Sequence, residues 1–163
     1  MSTVVIGVGN RDRGDDAIGL LLVDALAGRL PDTVTIAHEG DMSHLPLLWS
    51  SEDDVVIVDA VVDEAVAAGE VRLLETSDLQ QRSALSTHGL GVADALALAA
   101  RLDRTPRSVR IVGIGVDHVG FAAVGDTLRQ RIPALAESLT RLVAGDSQAL
   151  GVTSALSPVA IRP

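Results

Sequence analysis

The chain has 163 residues, of which 47% are hydrophobic, so it is long enough to form one domain with a sizeable core. Its formal net charge of -9 repels polyanions, and one Phe, one Trp and no Tyr leave few side chains to stack on bases, so nucleic acid is not an expected partner. The sequence contains no cysteine and all 13 basic residues are arginine, which excludes disulfides, thiolate catalysis, zinc-thiolate sites, P-loops and lysine Schiff bases.

Apolar, β-branched runs alternate with helical patterns along the chain, which is typical of an α/β fold. The first run predicts a buried strand at residues 4–8, and the unbroken run at residues 55–58 predicts a central strand covered on both faces. Further strands are predicted at residues 34–37 and 109–114, with a shorter edge strand at 69–75. Helices are predicted at residues 15–29, 88–101 and 127–144, and a short helical piece at 45–49. We therefore expect a three-layer sandwich, in which a mostly parallel, twisted sheet of about five strands carries helices on both faces.

Residues 1–145 are predicted to form a single α/β domain, because neither a repeat nor a linker interrupts them. Residues 146–163 lack periodicity and are expected to form an irregular C-terminal tail. Every apolar run is too short to span a bilayer, and no secretory pattern is recognisable. We therefore expect a cytoplasmic protein with no membrane partner.

The segment from Gly7 to Gly19 has the pattern of a strand end, a glycine turn and a helix start. In an open α/β sheet, such a turn presents Asn10, Asp15 and Asp16 above the carboxyl end of a central strand, where these folds place their sites. Acidic residues in a first helical turn also satisfy free amides and the helix dipole. Capping therefore explains one of the two carboxylates, and the other is a candidate functional group.

Asp59 directly follows the four β-branched residues of the central strand. A carboxylate at the end of a buried strand is unfavourable unless it is paired or binds a ligand, although it could also accept hydrogen bonds from loop amides. In a 2-1-3 strand order, the first and third strands are neighbours. Asp59 and the pair formed by Asp15 and Asp16 would then flank one crevice.

His88 lies in the small-residue turn Ser-Thr-His-Gly-Leu-Gly. It could be an exposed histidine near a helix cap, but together with two carboxylates it completes a three-ligand set for a borderline divalent ion, with coordination positions left open. The other three histidines have weaker surroundings; they are His38, His44 and His118.

Two other classes of site are disfavoured by their missing residues. Ser86 near His88 lacks the Gly-x-Ser-x-Gly elbow of a serine hydrolase. Gly7 and Gly9 lack the third glycine of a dinucleotide fingerprint, and the acidic turn would repel pyrophosphate. We expect neither a nucleotide nor an organic cofactor, while a small nucleotide- or phosphate-binding module is kept as an alternative function.

Three separated motifs together resemble those of the nickel-iron hydrogenase maturation endopeptidases. The first is Ile-Gly-Val-Gly-Asn at residues 6–10 with Arg-Gly-Asp-Asp at 13–16 and Gly19. The second is Val-Asp-Ala at 58–60, and the third is Thr-His-Gly-Leu at 87–90 with Ala-Asp at 93–94. Their order and spacing match the family over about the first 115 residues.

The resemblance implies a metal-dependent endopeptidase that removes a C-terminal extension from the large-subunit precursor of a nickel-iron hydrogenase after nickel has been inserted. Asp16, Asp59 and His88 match the positions at which this family contacts nickel, so they are the expected catalytic and metal-binding residues. Nickel would arrive with the substrate. A polarised carbonyl, an activated water, or Asp16 or Asp59 as general base are all open as routes to hydrolysis.

The sequence departs from the family after the second strand, where a Gly-Thr turn is replaced by His-Glu-Gly-Asp-Met at residues 38–42. The resemblance implies that this loop touches the substrate, so Glu39, Gly40 and Asp41 are expected substrate-binding residues together with Asn10. The segment after the last core strand lacks the family's usual glutamate. A non-catalytic assembly factor that senses nickel in the precursor is the alternative within this family.

Overall fold

The computed structural model describes residues 2–74, 91–117, 119–120, 123–146 and 149. The strands in this part of the chain are β1 (Thr3–Gly9), β2 (Thr33–Glu39), β3 (Asp54–Val62), β4 (Val71–Leu74) and β5 (Ser108–Val116). The α-helices are α1 (Ile18–Leu26), α2 (Val92–Arg101) and α3 (Asp126–Val143). Short 3-10 helices occupy Gly14–Ala17 and Met42–Leu47.

The strands form one sheet in the order β2-β1-β3-β5-β4. The first four are parallel, and β4 pairs antiparallel with β5 at the edge. The expected mostly parallel five-stranded sheet is therefore confirmed, as are the 2-1-3 order of its first three strands and the edge position of the short fourth strand.

Helices cover both faces of the sheet, because the side chains of each buried strand alternate between two cores. On one face, Val5 and Val56 pack with apolar residues of α1 and α3. On the opposite face, Val4 and Val55 pack with Trp49 and with apolar residues of α2 and the Met42–Leu47 helix. This arrangement confirms the three-layer sandwich.

The first helix is shorter than the predicted span of residues 15–29. A 3-10 turn precedes it, and α1 ends at Leu26 because Ala27 leaves the helical region and Gly28 adopts a positive φ of 73°. The short helical piece expected at residues 45–49 lies instead at Met42–Leu47, where the Asp41 side chain accepts a hydrogen bond from the Ser43 N–H and so caps its start.

The predicted helix at residues 88–101 corresponds to α2, whose described part begins at Val92; residues 88–90 lie outside the described residues. Most of the predicted tail also lies outside them. Within the described parts of the chain, none of the helices combines the length and the apolar character that a membrane crossing requires.

Candidate functional site

The pairing of β1 with β3 ends before either strand does, and we call the position beyond it, at the carboxyl ends of the two strands, the crevice. The two strands pair only as far as Gly7 and Val58, after which β1 continues alongside β2 as far as Gly9. The connection from β1 leads to α1 on one face of the sheet, whereas the connection from β2 leads to the Met42–Leu47 helix on the opposite face. Such a switch of faces is where open α/β sheets bind ligands. Asp59 is the first residue of β3 beyond its pairing with β1.

Glycines allow the start of α1 to lie directly on these strand ends. A Cβ atom at Gly19 would lie 2.5 Å from the carbonyl oxygen of Val58 and 2.6 Å from that of Val8. A Cβ atom at Gly7 would lie 2.1 Å from the carbonyl oxygen of Gly19. Any side chain here would push the helix away, so these glycines are required by close backbone approach. The close contact brings the turn that carries Asp16 to the end of β3.

Asp16 and Asp59 are brought together in this crevice, and both are partly buried. Burial, which is the larger cause, and the charge of Asp16 together raise the pKa of the Asp59 carboxyl to about 7. The backbone N–H of Ala60 opposes the shift by donating a hydrogen bond to Asp59. A carboxyl group with a pKa near neutrality can take up and release a proton under physiological conditions.

Asp15 makes a structural contact with a distant part of the chain. Its Oδ1 accepts a hydrogen bond of 2.8 Å from the N–H of Gly125, the residue immediately before α3. A carboxylate at this position also interacts favourably with the positive end of the α3 dipole. This bond differs from the expectation that one member of the acidic pair caps the helix that follows it, because the Asp15 carboxylate accepts from the residue before a distant helix.

Asn10 and Glu39, two of the predicted substrate-binding residues, hold the loop after β1 in place. The Asn10 side chain accepts a hydrogen bond from the Asp12 N–H at 2.8 Å, which closes a tight turn. Glu39 accepts a hydrogen bond of 2.8 Å from the Arg11 N–H and lies 3.3 Å from the Arg11 guanidinium. Arg11 also pairs with Asp24 of α1 at 2.9 Å. These contacts order the loop, and the role of both residues in binding substrate stays a prediction.

The loop after β2 is shaped by Gly40 and Asp41. Gly40 adopts a φ of 111°, which favours glycine, and a Cβ atom there would meet nothing within 4 Å. Hydrogen bonds from Ser43 hold the pKa of Asp41 below its usual range. The ring nitrogen Nε2 of His38 lies 3.2 Å from the Asp41 carbonyl oxygen. This loop lies beside β1 at its carboxyl end, since Glu39 is in register with Gly9.

His88 and His118 lie outside the described residues, so the full predicted ligand set is not described. Among the residues that are described, no group of three or more His, Cys, Asp or Glu side chains could hold a metal ion. Asp16 and Asp59 are the two predicted ligands that the described structure brings together.

Sequence reasoning missed the partners that hold this site in place. Gly125 is far from Asp15 in the chain and has no local pattern that marks it as an anchor. Arg11 belongs to the same loop as Asn10, but its contacts with Asp24 and Glu39 depend on how β1, α1 and β2 meet. The one hint in the sequence was that the arginines and aspartates of the loop after Gly9 carry opposite charges, which can form ion pairs.

The sequence is similar to those of hydrogenase maturation proteases. Residues 21–143 match the family model HycI, which is described as hydrogenase maturation protease. The hydrogenase 2 maturation protease of Escherichia coli (strain K12) is 32% identical over 153 residues, which cover 85% of this chain and 93% of that protein.

Solved structures are similar over most of the chain. The solution structure of an endopeptidase from Escherichia coli has a TM-score of 0.73 at 26% identity, over 89% of this chain and 94% of that chain. The crystal structure of a [NiFe] hydrogenase maturation protease HycI from Thermococcus kodakarensis KOD1 has a TM-score of 0.69 at 24% identity, over 88% of this chain and 93% of that chain. The similarity to the Thermococcus kodakarensis structure supports only the fold of this chain.

Proposed function

Since the chain belongs to the hydrogenase maturation protease family, we propose that this endopeptidase removes the C-terminal extension from the large-subunit precursor of a nickel-iron hydrogenase. In this proposal, the nickel that the precursor already carries is recognised by Asp16, Asp59 and His88. The metal is thus part of the substrate rather than a resident cofactor of the enzyme.

The observation that carries the proposal is the meeting of Asp16 and Asp59 at the crevice. Two partly buried carboxyl groups this close disfavour joint ionisation, as the raised pKa of Asp59 indicates. A divalent cation between them would offset both the repulsion and the loss of hydration. Carboxylate oxygens and an imidazole nitrogen are suitable ligands for a borderline ion such as nickel. The donor set therefore fits the metal that the proposal assigns to the precursor.

The direction of α2 follows from the contacts made just beyond its end. Beyond the end of α2, the Arg104 guanidinium donates to the carbonyl oxygens of Pro46 and Trp49, both at 2.8 Å. Soon after it, the Arg107 N–H donates to the Asp53 carbonyl oxygen just before β3. The end of α2 is thus at the amino edge of the sheet, and a helix of this length extends about 15 Å towards the carboxyl edge.

His88 precedes Gly91, the residue at which α2 is capped, by three positions in the sequence. Asp59 is two residues beyond Ile57, whose side chain packs on the same face of the sheet as α2. The start of α2 therefore lies on the face of the sheet on which Asp59 projects, and the proposal that His88 joins the site rests on its place in the sequence just before that start.

We propose that the two carboxyl groups also handle the protons of hydrolysis. Cleavage adds the oxygen of a water molecule to the peptide carbonyl carbon and breaks the C–N bond. The water loses a proton and the leaving nitrogen gains one. A carboxyl group that titrates near neutral pH is suited to accept and return this proton, and because Asp16 and Asp59 interact, they would titrate as a pair.

An incomplete ligand set explains why the protease would act only on loaded precursor. Two carboxylates and one imidazole leave coordination positions of a metal ion open, which ligands from the precursor would fill. Affinity for the precursor would then depend on the nickel it carries, and specificity would be the difference between the two affinities. Precursor choice would depend on the loop at residues 38–42.

The test is to incubate the purified protein with nickel-loaded and nickel-free precursor and to measure the precursor mass. We expect the loaded precursor to lose its extension and the nickel-free precursor to stay intact. An unshortened loaded precursor would support the non-catalytic assembly factor and refute the proposal. Cleavage of both forms would retain the protease and refute nickel recognition.

We further propose that the reaction takes place in the cytoplasm. A chain without cysteine does not depend on an oxidising compartment for disulfides. A phosphate-binding role is not supported, because the crevice brings together two acidic side chains that would repel phosphate.

A further inference from the structure

Arg13 contains a buried polar atom that lacks a partner. Its Nε is buried and has no hydrogen-bond partner, and it is the one side-chain nitrogen or oxygen in this condition within the described ranges. A guanidinium keeps its charge at every physiological pH and can only donate hydrogen bonds. An unpaired buried donor destabilises a protein unless a ligand satisfies it.

The backbone of Arg13 is part of the crevice loop. Its N–H donates to the Asn10 carbonyl oxygen at 3.2 Å, and its carbonyl oxygen accepts a hydrogen bond from the Asp16 N–H at 3.3 Å. Gly14, which follows it, is buried and adopts a φ of 60°. Arg13 is therefore fixed next to the residue that contributes one of the two carboxylates.

The other arginine of this loop is already engaged. Arg11 pairs with both Asp24 and Glu39, which hold its guanidinium away from other acceptors. By contrast, the buried Nε of Arg13 has no acceptor in the described part of the folded chain, so a bound ligand would have to supply one. A hydrogen-bond donor beside Asp16 and Asp59 would also offset the repulsion between these carboxyl groups and the negative end of a peptide carbonyl.

We propose that Arg13 is a substrate-binding residue that donates hydrogen bonds to an acceptor oxygen in the C-terminal extension of the precursor. The inference rests on the proposed function of this site and specifies how it holds the peptide. A guanidinium matches the planar geometry of carboxylates and carbonyl groups, and the acceptor is either a main-chain carbonyl or a side-chain carboxylate of the extension.

The experiment compares the wild-type protein with Arg13→Met and Arg13→Lys. Arg29→Met is the matched control, because Arg29 is exposed in the turn that follows α1. Three quantities are measured for each protein: KM and kcat for cleavage of nickel-loaded precursor, affinity for the same precursor by calorimetry, and the Tm of the free protein.

We expect Arg13→Met to raise KM and weaken binding by about 10- to 100-fold, with kcat changed much less, because a charge-assisted hydrogen bond is lost. The Tm of free Arg13→Met should be equal to or above that of the wild type, since the unpaired donor is removed. Arg13→Lys should lie between the two in KM, and Arg29→Met should match the wild type.

Unchanged KM and affinity in Arg13→Met would overturn the inference, as would a lowered Tm that accounts for the loss. If the wild type binds but does not cleave loaded precursor, the proposed function fails, and the affinity values still decide the role of Arg13. A precursor whose acidic extension residues are replaced by amides identifies the acceptor. If the wild-type protein loses as much affinity for this precursor as Arg13→Met loses for the original one, the acceptor is a side-chain carboxylate. If the affinity of the wild type is unchanged, the acceptor is a main-chain carbonyl.

Discussion

The charge of Asp16 raises the pKa of Asp59, although Asp16 lies in the 3-10 helix before α1 and Asp59 lies on β3, far away in the chain. Their proximity follows from the close contact of α1 with the ends of β1 and β3, which Gly7 and Gly19 permit. The same proximity disfavours the joint ionisation of the two carboxyl groups.

The raised pKa of Asp59 predicts that the site destabilises the fold as the pH rises. The folded protein binds this proton up to a pH of about 7, whereas the unfolded chain releases it near the ordinary pKa of 3.8. The free energy of unfolding should therefore fall between those two values. Asp59→Asn removes the effect, so its stability advantage should grow from near zero at pH 4 to at most about 4 kcal/mol at pH 8. Urea unfolding at several pH values measures this difference.

Two control variants make the pH result specific. Glu137→Gln removes an exposed carboxyl group on α3 and should show no comparable trend. Asp16→Asn removes one of the two causes that raise the pKa of Asp59. The free energy of unfolding of this variant should therefore still fall with pH, but by less than that of the wild type. A pH-independent difference between the wild type and Asp59→Asn would show that Asp59 titrates normally.

Gly19 is predicted to tolerate no side chain. In Gly19→Ala, the new methyl group would lie 2.5 Å and 2.6 Å from two backbone oxygens, which cannot move independently of β1 and β3. We expect a loss of about 1–3 kcal/mol in the free energy of unfolding, and slower processing because the turn with Asp16 is displaced. Chemical denaturation and a cleavage assay measure the two effects.

Gly120→Ala is the matched control for Gly19→Ala, because a Cβ atom at Gly120 would meet nothing within 4 Å. It should unfold like the wild type. Wild-type stability in Gly19→Ala would contradict the close packing of α1 on the strand ends.

The strands and the pairing of the two acidic positions could be predicted from the sequence for a physical reason. Every residue of the run Val55–Val58 is apolar and buried, as in a strand covered on both faces. Because β1 and β3 are parallel, the residues that follow them, including Asp16 and Asp59, lie at the same carboxyl edge of the sheet. The early end of α1 at Leu26 was missed because apolar periodicity continues past the residue at which the backbone changes conformation.

The contacts that anchor the site could not be predicted in the same way. The bond between Asp15 and Gly125 joins two loops that are distant in the chain, and neither loop has a periodic pattern. The buried Nε of Arg13 depends on the path of one turn. Single side-chain contacts of this kind depend on the folded geometry rather than on propensity.

Asp15 is predicted to stabilise the fold without taking part in chemistry. Asp15→Ala leaves the Gly125 N–H without its acceptor and should lower the free energy of unfolding by about 1 kcal/mol. Asp15→Asn keeps an acceptor oxygen, so its free energy of unfolding should fall by less than that of Asp15→Ala. Thermal unfolding ranks the three proteins. If Asp15→Ala is as stable as the wild type, the bond is not a significant anchor of this loop.

The three proposed site residues are predicted to be essential for processing. Asp16→Ala, Asp59→Asn and His88→Ala should each lower kcat/KM for nickel-loaded precursor by at least about 100-fold. Asp59→Asn should do so while being more stable than the wild type at pH 8, which separates loss of function from loss of fold. Mass spectrometry of the precursor and a circular dichroism spectrum of each variant provide the two readouts. Cleavage at the wild-type rate by any of the three would exclude that residue from the site.

The most direct test of the central claim is a nickel titration followed by NMR of the four histidine rings. If Asp16, Asp59 and His88 share one ion, paramagnetic broadening should affect the His88 ring first in the wild type. In Asp16→Ala and Asp59→Ala, the same broadening should require at least about tenfold more nickel, because a ligand has been lost. A His88 signal that stays sharp while other histidines broaden, or that broadens equally in all three proteins, would contradict the shared site.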